Sequence, residues 1–228
     1  MRPFFQEANF YGASKLIFQD KIPICLKATW MHGLGFSFHE NVDSKILIHY
    51  QEDFLPIHLV NNHDSCKKLE LEGIEAIAVG MPFLYASSHL NKMTFPKKFK
   101  RIFMPRHIVA GVNFHKSFEG WKKIISKYSC DAICLAGLEY KMALEKKFDF
   151  GNNLSILRGA SAGDEDSLER VTQMFYSTKE IITDSIGSHL IYAGSCGTKV
   201  RIIDEIYFST NLFIYRVYFF IITISNII

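Results

Sequence analysis

The stretch Ile181–Ile203, IITDSIGSHLIYAGSCGTKVRII, decides the fold. It opens on a β-branched pair, passes through Thr183-Asp184-Ser185 and Gly187-Ser188, continues as a mixed apolar segment to Gly197, and closes on KVRII. EIITD reads as a strand ending at Asp184, GSHLIYAGSCG as a helix that a glycine stops, and KVRII as the next strand. Strand, tight polar turn, helix and strand make one α/β unit.

Working back from that unit, the same alternation recurs. RIFM is a strand, and FHKSFEGWKKIISKY is a helix with Phe118, Trp121, Ile124, Ile125 and Tyr128 at helical spacing. DAICLAGL, EYKMALEKKF, NLSILRGA and DEDSLERVTQMFYS continue as strand, helix, strand and helix, the last capped by Asp164 or Asp166. Five strands alternating with helices from about residue 101 to 203 predict a doubly wound parallel sheet.

Nearer the N-terminus, ICLKATWMHGLG, KILIHY and IHLVNN read as strands, DSCKKLELEGI as a helix stopped at Gly73, and EAIAVGMPFLY as a fourth strand broken at Gly80 and Pro82. His63 and Asp64 are the candidate caps of that helix. The expected architecture is α/β with two Rossmann-like lobes. A small N-terminal lobe over 1–90 is followed by a polar, basic linker over 91–100, a C-terminal nucleotide-donor lobe over 101–205, incomplete at its C-terminal end, and a hydrophobic tail over 206–228. That tail, IYFSTNLFIYRVYFFIITISNII, is interrupted by Asn211, Arg216 and Asn226. It reads as a membrane-attached segment, as a last buried strand and helix, or as a truncation or frameshift ending.

Composition bounds the function. With 228 residues, 48% hydrophobic and 21% charged, the chain is a folded globular protein. A net charge of +3 with no long basic tract argues against nucleic acid and suits an anionic, phosphorylated ligand or an acidic membrane surface. Five cysteines without a Cys-x-x-Cys pair point to reduced thiols in a cytoplasmic protein and to no metal site. The first residues, MRPFFQEANFYG, contain no signal-peptide apolar run.

In a parallel sheet, ligands gather beyond the carboxyl ends of the strands. Asp184, Ser185, Gly187 and Ser188 fall at such an end. There the first helix amides, two hydroxyls and a glycine suit a pyrophosphate, or equally a helix that is simply capped. Arg106 and His107 of MPRH, and Arg158 of RGASAGDEDS, lie at two further strand ends on the same rim. In the first lobe, His32 of TWMHG sits in a turn after a strand, either as a general base or as a histidine bonded within its loop. His39 and His58 lack neighbours that suggest a role, His49 inside ILIHY reads as a satisfied strand histidine, and GMPFLY forms a tight turn beside the cleft, with Tyr85 lining it.

The order of WMHG, VGMP, a basic linker, MPRH and TDSIGSHLIYAGSCGTKV resembles the two-lobed GT-B glycosyltransferases of bacterial surface polysaccharide synthesis. More distantly it is similar to the CDP-glycerol glycerophosphotransferases. The resemblance covers roughly residues 28 to 203. It implies a sugar or polyol-phosphate transferase using a nucleotide-activated donor as substrate, with no cofactor and no metal. His32 would be the base, and Arg106, His107, Arg158, Asp184, Ser185, Gly187 and Ser188 the donor-binding residues. The acceptor would be a polysaccharide or lipid-linked glycan, at the inner face of the membrane. A nucleotide-sugar epimerase, with Glu139 or Asp164 supplying its carboxylates, and a non-catalytic binding or assembly protein are the alternatives.

Overall fold

The computed structural model describes residues 11–12, 28–30, 57–91, 93–106, 114–145, 150, 153–161, 164–185 and 187–203. KILIHY, His32, His107 and the tail beyond residue 203 lie outside the described residues. Two parallel sheets form the framework.

The first sheet holds β1 (Ala28–Trp30), β2 (Ile57–Val60) and β3 (Ala76–Ala78) in that order, all parallel. Parallel neighbours need a crossover, and α1 (His63–Leu71) supplies the one between β2 and β3. Its cap is Asn62 rather than His63 or Asp64: the Asn62 Oδ1 accepts from the Ser65 amide at 2.8 Å. Leu69 is fully buried against Val60 and Ala76, and Cys66 donates to the Ala76 carbonyl at 3.0 Å.

The fourth strand expected over EAIAVGMPFLY stops at Ala78, and Pro82–Leu90 is a helix, α2. The physical reason is Pro82: at the first helical position its missing N–H costs nothing and its fixed φ favours helix. Gly80 makes the turn before it at φ +82, a conformation other side chains avoid. Phe83, Ala86 and Leu90 then line one buried face. That face does not rest on the first sheet alone. Phe83 and Ala86 join the core of the second sheet, and Phe83 meets Phe175 edge-on at 6.5 Å.

The second sheet contains β4 (Phe99–Met104), β5 (Ala132–Leu135), β6 (Ser155–Arg158), β7 (Thr178–Thr183) and β8 (Lys199–Ile202). All are parallel, in the spatial order β6-β5-β4-β7-β8. The helices are α3 (Phe114–Tyr128), α4 (Gly137–Leu144), α5 (Ser167–Tyr176) and α6 (Ser188–Ser195). Counted within this sheet the order is 3-2-1-4-5, that of a doubly wound Rossmann sheet. This is the architecture read from the alternation of strands and helices.

Side chains alternate across β4, so each face gets its own core. Ile102 and Ile181 pack with Leu168, Val171 and Phe175 of α5 and Ala193 of α6. Phe103 and Ile182 face the other way, onto Phe118, Trp121 and Ile124 of α3. All four residues of β5 are buried, as expected of an inner parallel strand covered on both faces.

At the N-terminal edge of the sheet, Glu180 draws three cations. Arg101 Nε lies 2.9 Å from it, Arg201 Nη2 2.9 Å and Lys199 Nζ 3.7 Å. The strand register makes this: Arg101, Glu180 and Lys199 are opposite one another across β4, β7 and β8. Burial pushes the Glu180 carboxyl up, but the Arg101 bond and the Arg201 and Lys199 charges outweigh it and hold it below its ordinary value.

Candidate active site at the reversal of strand order

From β4 the chain winds outward through β5 to β6, then returns to the opposite side of β4 as β7 and β8. In a doubly wound sheet the ligand crevice lies where the order reverses, which here falls between β4 and β7. Arg106 stands two residues past the end of β4, and Asp184 one residue past the end of β7. The sequence placed both on the rim; the topology makes them neighbours.

Their contact is specific. The Arg106 amide donates to Asp184 Oδ1 at 2.8 Å. Asp184 is 7% exposed, so its carboxylate sits behind the rim and fixes the backbone of the β4 loop, while the Arg106 side chain is exposed. Burial pushes the Asp184 carboxyl above its ordinary value, and the amide bond and charge of Arg106 oppose that rise.

After Asp184 the chain turns into α6. Thr183, fully buried, organises the turn through its hydroxyl. Its Oγ1 accepts from the Ser185 amide at 3.3 Å and lies 3.0 Å from His189 Nε2. Gly187 is the N-cap, in an extended conformation and with no side-chain cap bond. A Cβ there would stand 3.1 Å from His189 Nδ1, so the glycine makes room for the His189 ring. The first turn of α6, with Ser188 and His189 half-buried, thus follows the end of β7, at the reversal of strand order. A helix start there carries partial positive charge and inward-pointing donors suited to phosphate.

Arg158 ends β6, two strands from β4 and hence about 10 Å from it. Its Nη2 pairs with Asp164 at 2.9 Å. Arg170 binds the same carboxylate at 2.6 Å and also reaches the Gly159 carbonyl at 3.1 Å. Burial pushes the Asp164 carboxyl up, but the Arg170 bond, the Asp166 amide and both guanidinium charges hold it low. Asp166 is the N-cap of α5 without a side-chain cap bond; the Asp164 carboxylate instead accepts from the Asp166 amide at 3.1 Å. Gly159 lets this loop pack tightly, since a Cβ would sit 2.9 Å from the Leu135 carbonyl oxygen.

Glu139, in the first turn of α4, is buried. Tyr85 is exposed and donates to the Val79 carbonyl at 2.9 Å; His58 is buried on β2. Four residues of this region carried no functional reading from sequence: Thr183, His189, Tyr192 and Met81. A histidine two residues after the glycine of TDSIGSH was a visible signal for His189. Nothing local marks the others. Among the described residues no group of three or more His, Cys, Asp or Glu could hold a metal ion, and no helix is long and apolar enough to cross a membrane. The four described cysteines, Cys66, Cys130, Cys134 and Cys196, are free thiols.

The described residues define a two-sheet α/β protein whose second sheet has Rossmann order, with Arg106, Asp184 and the start of α6 following the ends of β4 and β7. No protein-family model matches the chain, and no curated protein matches it. Among solved structures it is similar to a Staphylococcus aureus MnaA–UDP complex, at 15% identity over 81% of this chain and 52% of that one, TM-score 0.47. It is also similar to a Neisseria meningitidis UDP-GlcNAc 2-epimerase bound to UDP-GlcNAc, at 15% identity over 84% of this chain and 56% of that one, TM-score 0.45. The chain thus spans little more than half the length of either.

Proposed function

We propose that the rim between β4 and β7 holds the phosphates of a nucleotide-activated donor, and that the protein transfers a sugar or a polyol phosphate from it to an acceptor hydroxyl. The observation that carries this reading is the bond from the Arg106 amide to Asp184, which ties the backbone of the loop after β4 to the end of β7, from which the chain leads into α6, at the reversal of strand order in the second sheet. Lone strand-end arginines and helix starts are common. Their convergence at the crevice of a doubly wound sheet is what a diphosphate requires.

In the sugar case, the bond from the anomeric carbon to the donor phosphate oxygen breaks, and the nucleoside diphosphate leaves with that electron pair. Arg106 and the α6 amides meet the charge that gathers there. The acceptor oxygen forms the new bond and loses its proton to a base. His32, two residues past β1 and outside the described residues, is the candidate for that role. Positive charge comes from the protein, without a metal or separate cofactor. The acceptor in this reading is a hydroxyl of a surface polysaccharide or a lipid-linked glycan.

The test is calorimetric titration of UDP, CDP, GDP, ADP and dTDP into the wild type, Arg106→Ala and Ser188→Ala. Loss of a charged hydrogen bond at Arg106 should weaken binding about ten-fold or more. Unchanged affinity in both variants removes the donor site. Tight binding without consumption of any donor leaves a binding protein and removes the transferase.

A further inference from the structure

At the edge of the second sheet opposite the rim, positive charge exceeds what the carboxylates there offset. Lys97, Lys98, Lys100, Lys179, Lys199 and Arg201, all exposed, lie at or just before the starts of β4, β7 and β8. The two acids among them, Glu180 and Asp131, are engaged. Glu180 is held by Arg101 and Arg201, each at 2.9 Å. The Asp131 carboxylate accepts the Lys100 and Arg101 backbone amides at 2.9 and 2.8 Å.

The register that sets Phe99 against Thr178 and Arg101 against Glu180 puts Lys100 directly opposite Lys179. Neighbouring strands run about 4.8 Å apart, so two ammonium-bearing side chains leave adjacent strands on the same face. Among the described residues neither lysine is paired with a carboxylate. Like charges so placed destabilise a sheet, and an acidic residue in place of either lysine would relieve the cost. An anion brought from outside relieves it too.

The chemistry of the edge selects the anion. Its charges spread across three strands, about 10 Å, and so fit an extended anionic surface better than one small ion. The forked donors suited to gripping a single phosphate or a base, Arg101 and Arg201, are on Glu180; the remainder are lysines, which act as point charges. Both rings of the segment leading into β4 are engaged, Phe95 stacked on Tyr176 at 5.6 Å and Phe99 buried, which disfavours base stacking. Met93, earlier in that segment, is 54% exposed, and an apolar side chain beside lysines suits the boundary between lipid headgroups and acyl chains.

We propose that this edge is a docking surface for a bilayer rich in anionic phospholipid, with Lys100 and Lys179 at its centre. Lysines near such a surface each add to the attraction, and the rim at the other ends of the same strands is left facing the solution. The docking stands on its own residues, whether or not the rim holds a donor.

The experiment sediments the full-length protein with vesicles of phosphatidylcholine alone and of phosphatidylcholine mixed with phosphatidylserine, at about 0.1 M and about 0.5 M salt. The proteins are the wild type, Lys100→Gln, Lys179→Gln and the double variant, with a thermal melt of each. The wild type should partition onto the mixed vesicles at the lower salt and onto the neutral ones far less. Each single variant should partition about 5-fold more weakly and the double variant about 30-fold. Their melting temperatures should stay level or rise, because the repulsion is relieved. No binding to mixed vesicles, equal binding to neutral ones, or a double variant that binds as the wild type does overturns the proposal. So does a double variant whose weaker binding comes with a lower melting temperature, since the lysines are then structural. A wild type that retains a single-stranded oligonucleotide and ignores the vesicles makes the edge a nucleic-acid surface and overturns the lipid assignment.

Discussion

Replacing Asp184 separates two effects that the structure combines in one carboxylate. Asp184 Oδ1 accepts the Arg106 amide at 2.8 Å, and the residue is 7% exposed. Asp184→Ala strips a buried amide of its acceptor, and hydrogen bonds to charged groups contribute about 1.5–3 kcal/mol. For a chain of this size that corresponds to a melting temperature lower by about 3–12 °C. Asp184→Asn keeps an oxygen in place and removes the buried charge, so its cost should stay below about 1 kcal/mol.

The sign of the pH dependence follows from the raised carboxyl. A carboxyl with a higher pKa folded than unfolded favours the fold in its protonated form. Its contribution is complete below the unfolded value of about 3.9 and is lost as pH rises through the folded value. Asp184→Asn therefore gains on the wild type as pH rises across that window. Denaturant melts of the three proteins from pH 3.5 to 8 read both effects. Equal costs for Ala and Asn, with no change of their difference from wild type over pH, would refute the assignment of this carboxylate as the buried acceptor of Arg106.

Glu180 should show the opposite pH behaviour. Its carboxyl is held low by Arg101, Arg201 and Lys199, so its contribution is present above the unfolded value of about 4.3 and is lost as pH falls through the folded one. Glu180→Gln should cost about 1–2 kcal/mol at pH 7, since its partners are partly solvated, and almost nothing below pH 3, as acid melts would show. Phe103→Ala, at a fully buried site against Trp121, should cost about 3–5 kcal/mol in urea denaturation. Gly159→Val should destabilise by about 1–3 kcal/mol, because its Cβ would meet the Leu135 carbonyl; a melt unchanged from wild type would show that the β5 and β6 loops do not pack as described.

The parts of the fold written in local pattern were legible. β4 (FKRIFM) carries two phenylalanines and an isoleucine, β7 (TKEIIT) four β-branched residues, β5 (AICL) is apolar throughout, and α3 carries Phe118, Trp121 and Ile124 at helical spacing. α2 was hidden because PFLYASSHL continues an apolar run that begins as a strand; only Pro82 at its first position marks the change. The order of strands is not a local property, so the meeting of Arg106 with Asp184, distant in sequence, came from topology. For the same reason polarity alone made Asp184 a ligand candidate and left unseen that the β4 loop needs its acceptor. Arg158 likewise lies at a strand end as read, but Asp164 engages its guanidinium, together with Arg170 from one helix further on.

The most direct measurement is a crystal structure of the protein grown with a nucleoside diphosphate. The expected result is density for the two phosphates beyond the ends of β4 and β7, against the first turn of α6 and within reach of the Arg106 guanidinium. Phosphates bound elsewhere, with the Arg106–Asp184 bond intact and the start of α6 unoccupied at saturating ligand, would contradict it.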